Sequence, residues 1–245
     1  MKCIIVCGGY ATRLYPLTEN QPKALLHVKG KPIVDYLVEK INQVKDIDSI
    51  YLISNNKFYM KFAWWLSSKK FPKSIDLVDT GSVTVEDQLG PIHDCLMAID
   101  QFEIKEDILI LYGDNLFSLD INEFINFFKE KKATCLACYK IDNPADTKKF
   151  GIVTVDENKK IIKTEEKPEK SDSNLAVTGI YMIRKEDIPK LKEFHKKSEE
   201  ENKLSPGWGL TYFIKDLYEK QDVYAFPFSG DWIDIGSKED YEKIK

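Results

Sequence analysis

Residues 2–33 read KCIIVCGGYATRLYPLTENQPKALLHVKGKPI, and the interpretation of the whole chain starts from them. The apolar run at 3–7 has the length and β-branched content of a buried strand. The glycine pair at 8–9 follows, where the backbone can turn sharply or approach a ligand closely. Arg13 and Lys23 then add two cations. A strand that leads into exposed backbone N–H groups beside cations predicts a polyphosphate-binding site.

Two familiar glycine loops do not match this stretch. It contains no G-x-x-x-x-G-K-[ST], which excludes a Walker A loop, and it lacks the G-x-G-x-x-G of a dinucleotide fold. A glycine pair alone is common in ordinary strand-to-helix connections. Here the pair is followed by Arg13, by Pro-Lys at 22–23 and by Lys-Pro at 31–32, and this longer pattern favours phosphate binding.

The composition bounds the class of protein. The 245 residues are 43% hydrophobic and 31% charged, enough for one sizeable core. A net charge of −4 gives no electrostatic case for nucleic acid as a partner, so any phosphate site must be local. No apolar run approaches the roughly 18 residues of a membrane span, and the N-terminal residues do not have the composition of a signal peptide. We therefore expect no membrane partner and a cytoplasmic location.

The cysteines are expected to be structural. Their number, five, is odd, which favours free thiols in a reducing compartment. Cys135 and Cys138 form a C-x-x-C, a pattern used for zinc and redox chemistry. The surrounding ATCLACYKI reads as a buried strand, on which residues three apart point to opposite faces. The three histidines, His27, His93 and His195, show no catalytic-triad spacing, so they too are expected to be structural.

The order of elements predicts an α/β fold. Residues 31–44 have helical apolar spacing, and SIYLIS at 49–54 reads as a strand, so the order strand, helix, strand indicates parallel pairing. Aromatic residues at helical spacing in 58–66 favour a core helix, and residues 92–99 a further apolar helix. Residues 142–149 are expected to form a loop, 191–203 a solvated helix, and 205–209 the start of another helix. The strand at 150–155, a turn at 156–160 and the apolar pair after it predict an antiparallel hairpin added to the main sheet.

A second informative stretch is DILILYGDN at 107–115. Its apolar residues predict a central strand, and Asp114 follows at the carboxyl end, the edge where open α/β sheets bind ligands. A carboxylate there suits Mg²⁺, which takes few protein ligands and completes its shell with phosphates and water. The alternative is an aspartate that caps the next helix.

The N-terminal stretch resembles the signature of the sugar-phosphate nucleotidyltransferases, G-G-x-G-T-R-L-x-P-L-T-x-x-x-P-K-x-L-x-x-V-x-x-K-P. The family includes glucose-1-phosphate thymidylyl- and uridylyltransferases and mannose-1-phosphate guanylyltransferases. Its third glycine is Ala11 here, whose methyl group could crowd the phosphates or shift the loop. Further matches follow in the family's order: GDN at 113–115, EKP at 166–168, T-G at 178–179 and W-x-D-x-G-S at 232–237. The resemblance covers about residues 1–241.

The resemblance implies a Rossmann-like three-layer α/β/α nucleotidyltransferase fold with a mixed, mainly parallel central sheet and a small antiparallel acceptor-binding lobe. We expect one domain over residues 1–245, with a nucleotide-binding half at about 1–140 and an acceptor-binding half at about 141–245. Several relatives continue into a left-handed β-helix. No hexapeptide repeat is present here, so any homo-oligomer, such as a dimer, is expected to use another surface.

The resemblance also assigns roles to individual residues. Those expected to be catalytic are Arg13, Lys23 and Asp114, with Asp114 and Asp234 as ligands of Mg²⁺. Those expected to contact the nucleotide are Cys7, Gly8, Gly9, Tyr10, Ala11, Thr12, Gln88, Leu89, Gly90 and Asn115. Those expected to contact the acceptor are Gly151, Glu166, Lys167, Thr178 and Gly179.

The implied reaction transfers NMP from a nucleoside triphosphate (CTP, UTP or dTTP) to a phosphorylated small molecule, most simply a sugar 1-phosphate, and releases pyrophosphate. The expected context is the synthesis of surface-glycan or capsule precursors. Three alternatives stay open. Related cytidylyltransferases use CTP on non-sugar phosphates such as phosphocholine or phosphoglutamine. A glycosyltransferase would need a D-x-D motif, which Asp114-Asn115 is not. Inert copies of the domain tend to lose cations and carboxylates that this chain keeps.

Overall fold

The computed structural model describes all 245 residues. Its strands are β1 (Lys2–Val6), β2 (His27–Val28), β3 (Lys31–Pro32), β4 (Ser49–Ser54), β5 (Ser74–Asp79), β6 (Ile108–Tyr112), β7 (Asn115–Phe117), β8 (Cys135–Lys140), β9 (Gly151–Val155), β10 (Ile161–Glu166), β11 (Leu175–Ile183), β12 (Tyr224–Phe228) and β13 (Trp232–Asp234). Its α-helices are α1 (Ile33–Asn42), α2 (Asn56–Ser67), α3 (Pro91–Gln101), α4 (Ile121–Lys131), α5 (Ile188–Glu200), α6 (Leu210–Tyr218) and α7 (Lys238–Glu242). Short 3₁₀ helices lie at Thr12–Leu14, Lys23–Leu25, Pro144–Lys149 and Lys185–Asp187.

Nine of the strands form one mixed sheet. Its path is β10-β9-β11-β6-β1-β4-β5, and β8 pairs with both β11 and β12. The pairs β1–β4, β1–β6, β4–β5 and β8–β12 are parallel, whereas β11 runs antiparallel to β6, β8 and β9. Only β10 and β11 therefore run against the other seven strands, which confirms a mixed, mainly parallel sheet.

Helices cover both faces of this sheet because successive residues of each buried strand point to opposite sides. On one face, Cys3 and Ile5 of β1 belong to a core of 31 buried residues with α1, α2 and α4. On the other face, Ile4 belongs to a core of 27 buried residues with α3, α5 and α6. The three-layer prediction is confirmed.

Three small antiparallel units extend from the layers. The hairpin β9–β10 continues one edge of the main sheet, and β2–β3 and β7–β13 are separate two-stranded sheets. The last of these matters most for the site, because Asn115 of β7 lies opposite Asp234 of β13. Residues more than a hundred positions apart are thereby brought to the end of β6.

The cysteines and the aromatic helix agree with expectation. Cys135 faces the first core and Cys138 the second, and all five thiols are free and buried. Burial raises the pKa of both thiols, which therefore stay protonated. In α2, three aromatic side chains pack in the core: Phe58, Phe62 and Trp65. No helix in the fold has the length and apolar character needed to cross a bilayer.

Several boundaries differ from the sequence-based expectations. The stretch 142–149, expected to be a plain loop, contains the 3₁₀ helix Pro144–Lys149, which begins after Asn143 accepts a hydrogen bond from the Ala145 N–H. Helix α5 begins at Ile188 rather than at 191, since a proline is well tolerated in a first turn. Residues 205–209, expected to start a helix, form a turn instead, and α6 begins after Gly209.

Candidate active site

A cavity of about 370 Å³ opens at the carboxyl ends of β1 and β6. Parallel strands place their ligand-binding loops at this edge. Eleven of the residues singled out from the sequence line it: Cys7, Gly9, Tyr10, Ala11, Thr12, Arg13, Lys23, Gln88, Gly90, Asp114 and Asp234. The structure therefore brings together residues from both ends of the chain.

The turn after β1 presents unpaired donors to this cavity. The Gly8 carbonyl accepts hydrogen bonds from Asn55 Nδ2 and Gln88 Nε2, both at 2.9 Å, which fixes the orientation of the turn. The backbone N–H groups of residues 8–13 donate no hydrogen bond within the chain. Successive free N–H groups form an anion-binding concavity. The guanidinium of Arg13 makes no ion pair or hydrogen bond with any protein group, so it too is free for an anion.

Ala11 keeps the conformation that a glycine would favour. Its φ of 50° and ψ of 47° are left-handed, and its carbonyl accepts hydrogen bonds from the Leu14 N–H at 2.9 Å and from the Thr18 hydroxyl at 2.8 Å. The loop therefore keeps this left-handed conformation in spite of the methyl group, and the conformation costs free energy of folding. A left-handed non-glycine residue costs roughly 1–2 kcal/mol.

We predict that Ala11→Gly stabilises the protein by up to about 1 kcal/mol, because relief of the left-handed strain exceeds the entropy that glycine loses on folding. Chemical denaturation measures the change. The matched control is Ala63→Gly in the middle of α2, which is expected to destabilise by about 1 kcal/mol. A loss of stability in Ala11→Gly comparable to that of the control would contradict this account of the loop.

Lys23 and two aspartates meet at the other side of the cavity. Lys23 Nζ lies 2.6 Å from Asp114 Oδ2 and donates to the Ile235 carbonyl at 2.7 Å. Asn115 Nδ2 donates to Asp114 Oδ1 at 2.8 Å, and its own Oδ1 accepts from Trp232 Nε1 at 2.8 Å. These contacts fix the carboxylate of Asp114. Helix capping, the alternative role for this aspartate, belongs to Asp120, which caps α4.

The paired carboxylates suit a divalent cation. Burial and the negative charge of Asp114 raise the pKa of Asp234 to about 6, against the opposing effect of Lys23. No cluster of three or more histidine, cysteine or acidic side chains exists that could enclose a metal ion by itself. Two carboxylates with a partly open shell match Mg²⁺, which takes its remaining ligands from substrate phosphates and water.

The residues expected at the acceptor lie outside this cavity. Glu166 and Gly151 are paired across β9–β10, and Lys167 follows with its Nζ 3.8 Å from Glu166 Oε1. Both side chains are about half exposed. The hydroxyl of Thr178 is buried and donates to the Ala137 carbonyl at 2.8 Å, so any contact of this residue with a ligand falls to its backbone.

The acceptor residues are connected to the cavity through Tyr112, the last residue of β6. Gly179 lies directly against its ring, where an added Cβ would approach to 2.9 Å. The Tyr112 hydroxyl accepts from the Leu210 N–H at 3.2 Å, beside the turn whose Pro206 lines the cavity. The two groups of residues are therefore neighbours on one edge of the sheet.

Three residues expected at the nucleotide do not line the main cavity. The side of Gly8 that bears its carbonyl faces Asn55 and Gln88, Asn115 lies behind Asp114, and Leu89 lines a small adjoining pocket. Among the lining residues that were not predicted, one is ionisable, the buried Asp94 of α3. Its sequence signal was a charge within the apolar helix at 92–99, because charged side chains are rarely buried without a partner.

Gly90 closes the cavity opposite the glycine turn. Its φ is +93°, and a Cβ there would overlap the carbonyl of Ser205. We predict that Gly90→Ala destabilises the protein by about 2 kcal/mol or more, since strain and overlap with backbone add. The matched control is Gly9→Ala, because a Cβ on Gly9 meets no atom within 4 Å. Thermal unfolding measures the stability of both variants. Equal stability of the two would show that the close contact of Gly90 with Ser205 does not restrict which residue can stand at position 90.

Free N–H groups after β1, two cations and adjoining carboxylates at the carboxyl edge define an α/β domain whose cavity has the chemistry to hold a phosphorylated ligand. Comparison with known proteins gives the particular family. The sequence model of the family described as "Nucleotidyl transferase" matches residues 2–245, and the chain belongs to that family.

Named relatives agree with this membership. The bifunctional protein GlmU of Methanococcus vannielii is 32% identical over 96% of this chain and 52% of its own length. A putative mannose-1-phosphate guanyltransferase of Sulfolobus acidocaldarius is 30% identical over 100% of this chain and 62% of its own length. The chain thus spans about half to two thirds of these relatives. The solved structure of a putative glucose-1-phosphate thymidylyltransferase from Bacillus anthracis aligns with a TM-score of 0.82 and 28% identity, covering 99% of this chain and 93% of that one.

Proposed function

We propose that this chain is a Mg²⁺-dependent nucleotidyltransferase that joins a nucleoside monophosphate from a triphosphate to the phosphate of a small acceptor and releases pyrophosphate. Family membership supports the reaction class. The observation that carries the proposal is the contact of Lys23 Nζ with Asp114, beside Asp234 and across from the unpaired N–H groups of residues 8–13. With a divalent cation held by the two aspartates, this arrangement would neutralise a polyphosphate at three points, which are the N–H groups, Lys23 and the cation.

The proposed chemistry is an in-line displacement. An oxygen of the acceptor phosphate attacks the α-phosphorus, and the bond from that phosphorus to the oxygen bridging to the β-phosphate breaks. Phosphoryl chemistry of this kind depends on positioning and charge neutralisation. A phosphomonoester has a second pKa near about 6, so the nucleophile is already largely dianionic at pH 7 and needs no general base. In agreement with this, no histidine lines the cavity.

Each residue has a defined task in this proposal. The N–H groups of residues 9–13 and the Arg13 guanidinium hold the β- and γ-phosphates and stabilise the leaving pyrophosphate. Lys23 neutralises the α-phosphate and the attacking oxygen, and Lys167 holds the acceptor phosphate. Asp114 and Asp234 would hold Mg²⁺. Divalent metal use is general in the family, and the ion supplies charge neutralisation to the two substrates' oxygens.

The two halves of the chain divide the substrates in this proposal. Residues up to about 140 bind the nucleotide, and residues from about 141 bind the acceptor, except that Asp234 returns to the nucleotide side through β13. Glu166 beside Lys167 offers an acceptor for hydroxyl or amino groups next to a phosphate-binding cation. A sugar 1-phosphate fits this pair, and so does a non-sugar phosphate that carries an amine.

The deciding experiment measures pyrophosphate release with Mg²⁺ for each of five triphosphates against a panel of acceptors. The panel contains hexose 1-phosphates, heptose 1-phosphate, phosphocholine and phosphoglutamine. We expect release from one pair, abolished by EDTA and restored by excess Mg²⁺. Arg13→Ala is expected to lower turnover at least about a hundredfold, the scale of one preorganised charge. The control is Lys61→Ala, an exposed cation on α2 without an ion pair.

The outcomes separate the alternatives. Pyrophosphate release that is unaffected by Arg13→Ala would contradict the assignment of the site. Group transfer from a nucleotide-sugar without pyrophosphate would indicate a glycosyltransferase. Binding of triphosphates without release across the full panel would favour a domain that senses nucleotides and does not transfer them.

A further inference from the structure

Asp94 differs from the other buried carboxylates of the chain. Three acidic side chains are buried: Asp35, Asp94 and Asp187. Asp35 accepts from Trp65 Nε1 and pairs with a lysine, and Asp187 accepts from four side chains on neighbouring elements. The carboxylate of Asp94 has no hydrogen-bond donor anywhere in the chain. Burying a carboxylate without a partner is costly, so this one is expected to have a partner that is not part of the protein.

The carboxylate reaches the cavity already described. Its Oδ2 would lie 2.7 Å from a Cβ on Gly8, so the side chain sits directly beside the glycine turn. Asp94 lines the cavity together with Gln88 and Gly90, on the side formed by the start of α3. Burial alone raises its pKa to about 7, with no contribution from Arg13 or Lys23. Asp94 lies on the α3 side of the cavity, whereas Lys23 is held against Asp114, which follows β6.

The chemistry of a nucleoside triphosphate fixes which part can occupy this side of the cavity. The phosphates are drawn to the cations and are repelled by a carboxylate. The base remains. Above the pKa of Asp94 the carboxyl group is ionised and accepts on every available lone pair, so at such a pH the base must offer a hydrogen-bond donor. Cytosine, adenine and guanine each carry an exocyclic amino group. Uracil and thymine carry a carbonyl oxygen at the position of the cytosine amine, and two acceptors that face each other repel.

We propose that Asp94 is a specificity-determining residue that selects triphosphates whose base bears an exocyclic amino group, by accepting a hydrogen bond from that group. The inference rests on the proposed function, since it assumes a triphosphate in this cavity. It narrows the substrate to CTP, ATP or GTP and disfavours UTP and dTTP. Gln88 and Gly90, which flank the carboxylate, provide the amide and backbone groups for the rest of the base edge.

Calorimetric titration without an acceptor tests the inference through pairs of triphosphates that differ in one amino group. The pairs are CTP with UTP, ATP with ITP, and GTP with XTP, in each of which a carbonyl oxygen replaces the amino group, all with Mg²⁺ at about pH 8, where Asp94 is ionised. For the base size that binds, we expect the amino member to bind at least about tenfold more tightly, within the range of one specific base contact. Asp94→Asn, which can donate as well as accept, is expected to reduce this ratio to about threefold or less, chiefly by improving the binding of the oxo member.

Two further variants make the result decisive. Asp94→Ala is expected to weaken the amino member without improving the oxo member. Asp100→Asn, on an exposed part of the same helix, is expected to leave the ratio unchanged. All three are expected to fold, because Asp94 accepts no hydrogen bond whose donor would be left unsatisfied and Asp100 is exposed; thermal unfolding verifies this.

The failure of the inference is distinct from that of the proposed function. Triphosphates that bind with the oxo member preferred, or with a ratio that neither Asp94 variant changes, overturn the role of Asp94 and leave the nucleotide site intact. The inference also fails if 2′-deoxy triphosphates bind more weakly than their ribose counterparts and the amino member is not preferred. If Asp94→Ala then abolishes the difference between ribose and 2′-deoxyribose, the carboxylate is assigned to the ribose. No binding by any triphosphate overturns the proposed function and the inference together.

Discussion

Asp114→Asn is expected to lower the turnover of pyrophosphate release at least about a hundredfold while the protein stays folded. The carboxylate lies 2.6 Å from Lys23 Nζ and beside Asp234, at the only place in the cavity where two acidic groups adjoin. Asparagine keeps the shape but removes one of the two charges available to a divalent cation. Loss of a preorganised charge in a partly closed site typically costs two to three orders of magnitude in rate.

Steady-state kinetics over a wide range of Mg²⁺ concentration measure this effect. The matched control is Asp46→Asn, the same exchange at an exposed ion pair with Lys129, where turnover is expected to be unchanged. If the turnover of Asp114→Asn stayed within a few fold of that of the unsubstituted protein at every Mg²⁺ concentration, Asp114 would have no part in the chemistry. Its paired neighbour Asp234 would also be left without an assigned task.

Lys23→Met is the second change with a large expected effect. Methionine has nearly the same length and apolar stem but no charge, so kcat is expected to fall by about a hundredfold to a thousandfold. The loss is expected mainly in kcat, because the cation acts where the attacking oxygen and the α-phosphate meet. Binding of the triphosphate, which also uses the N–H groups of residues 9–13, is expected to weaken much less.

The same variant tests the electrostatics of the apo site. The side chain of Lys23 is 15% exposed, and its removal leaves Asp114 Oδ2 and the Ile235 carbonyl without this donor. We expect a stability loss of about 1–3 kcal/mol by denaturant unfolding. Lys45→Met, at an exposed lysine without an ion pair, controls for the loss of one positive charge. A fall in triphosphate affinity with kcat unchanged would show that Lys23 acts only in binding.

The main sheet could be predicted because its strands are short apolar runs bounded by turn residues. SIYLIS became β4 with both ends where the pattern placed them, and the C-x-x-C pair took opposite faces as strand geometry requires. The predictions were wrong at two places where a single residue determines the structure. Helix α5 begins earlier than its apolar pattern indicated, with a proline in its first turn, and Asn143 caps the 3₁₀ helix Pro144–Lys149 within a predicted loop. The propensity of individual residues determines where such elements begin, and the periodicity of the apolar residues does not indicate it.

The site was predictable only in part for a different reason. Asp114 could be inferred from its position after a central strand, because all parallel strands end at one edge. Asp234 was assigned only through the family resemblance at 232–237, since its position beside Asp114 depends on the pairing of β13 with β7 across the sequence. Asp94 was passed over because apolar spacing hides a single charge, and only the fold shows that no donor reaches it.

The pairing of β13 with β7 also bears on the order in which the protein is made. A ribosome that has released residues 1–228 has released every strand of the nine-stranded sheet, but neither Asp234 nor the Ile235 carbonyl that holds Lys23. A nascent chain can therefore complete its largest hydrophobic core before Asp114 and Asp234 come together. In the proposed enzyme, productive binding of a triphosphate would then require that translation has continued through the residues that follow β12.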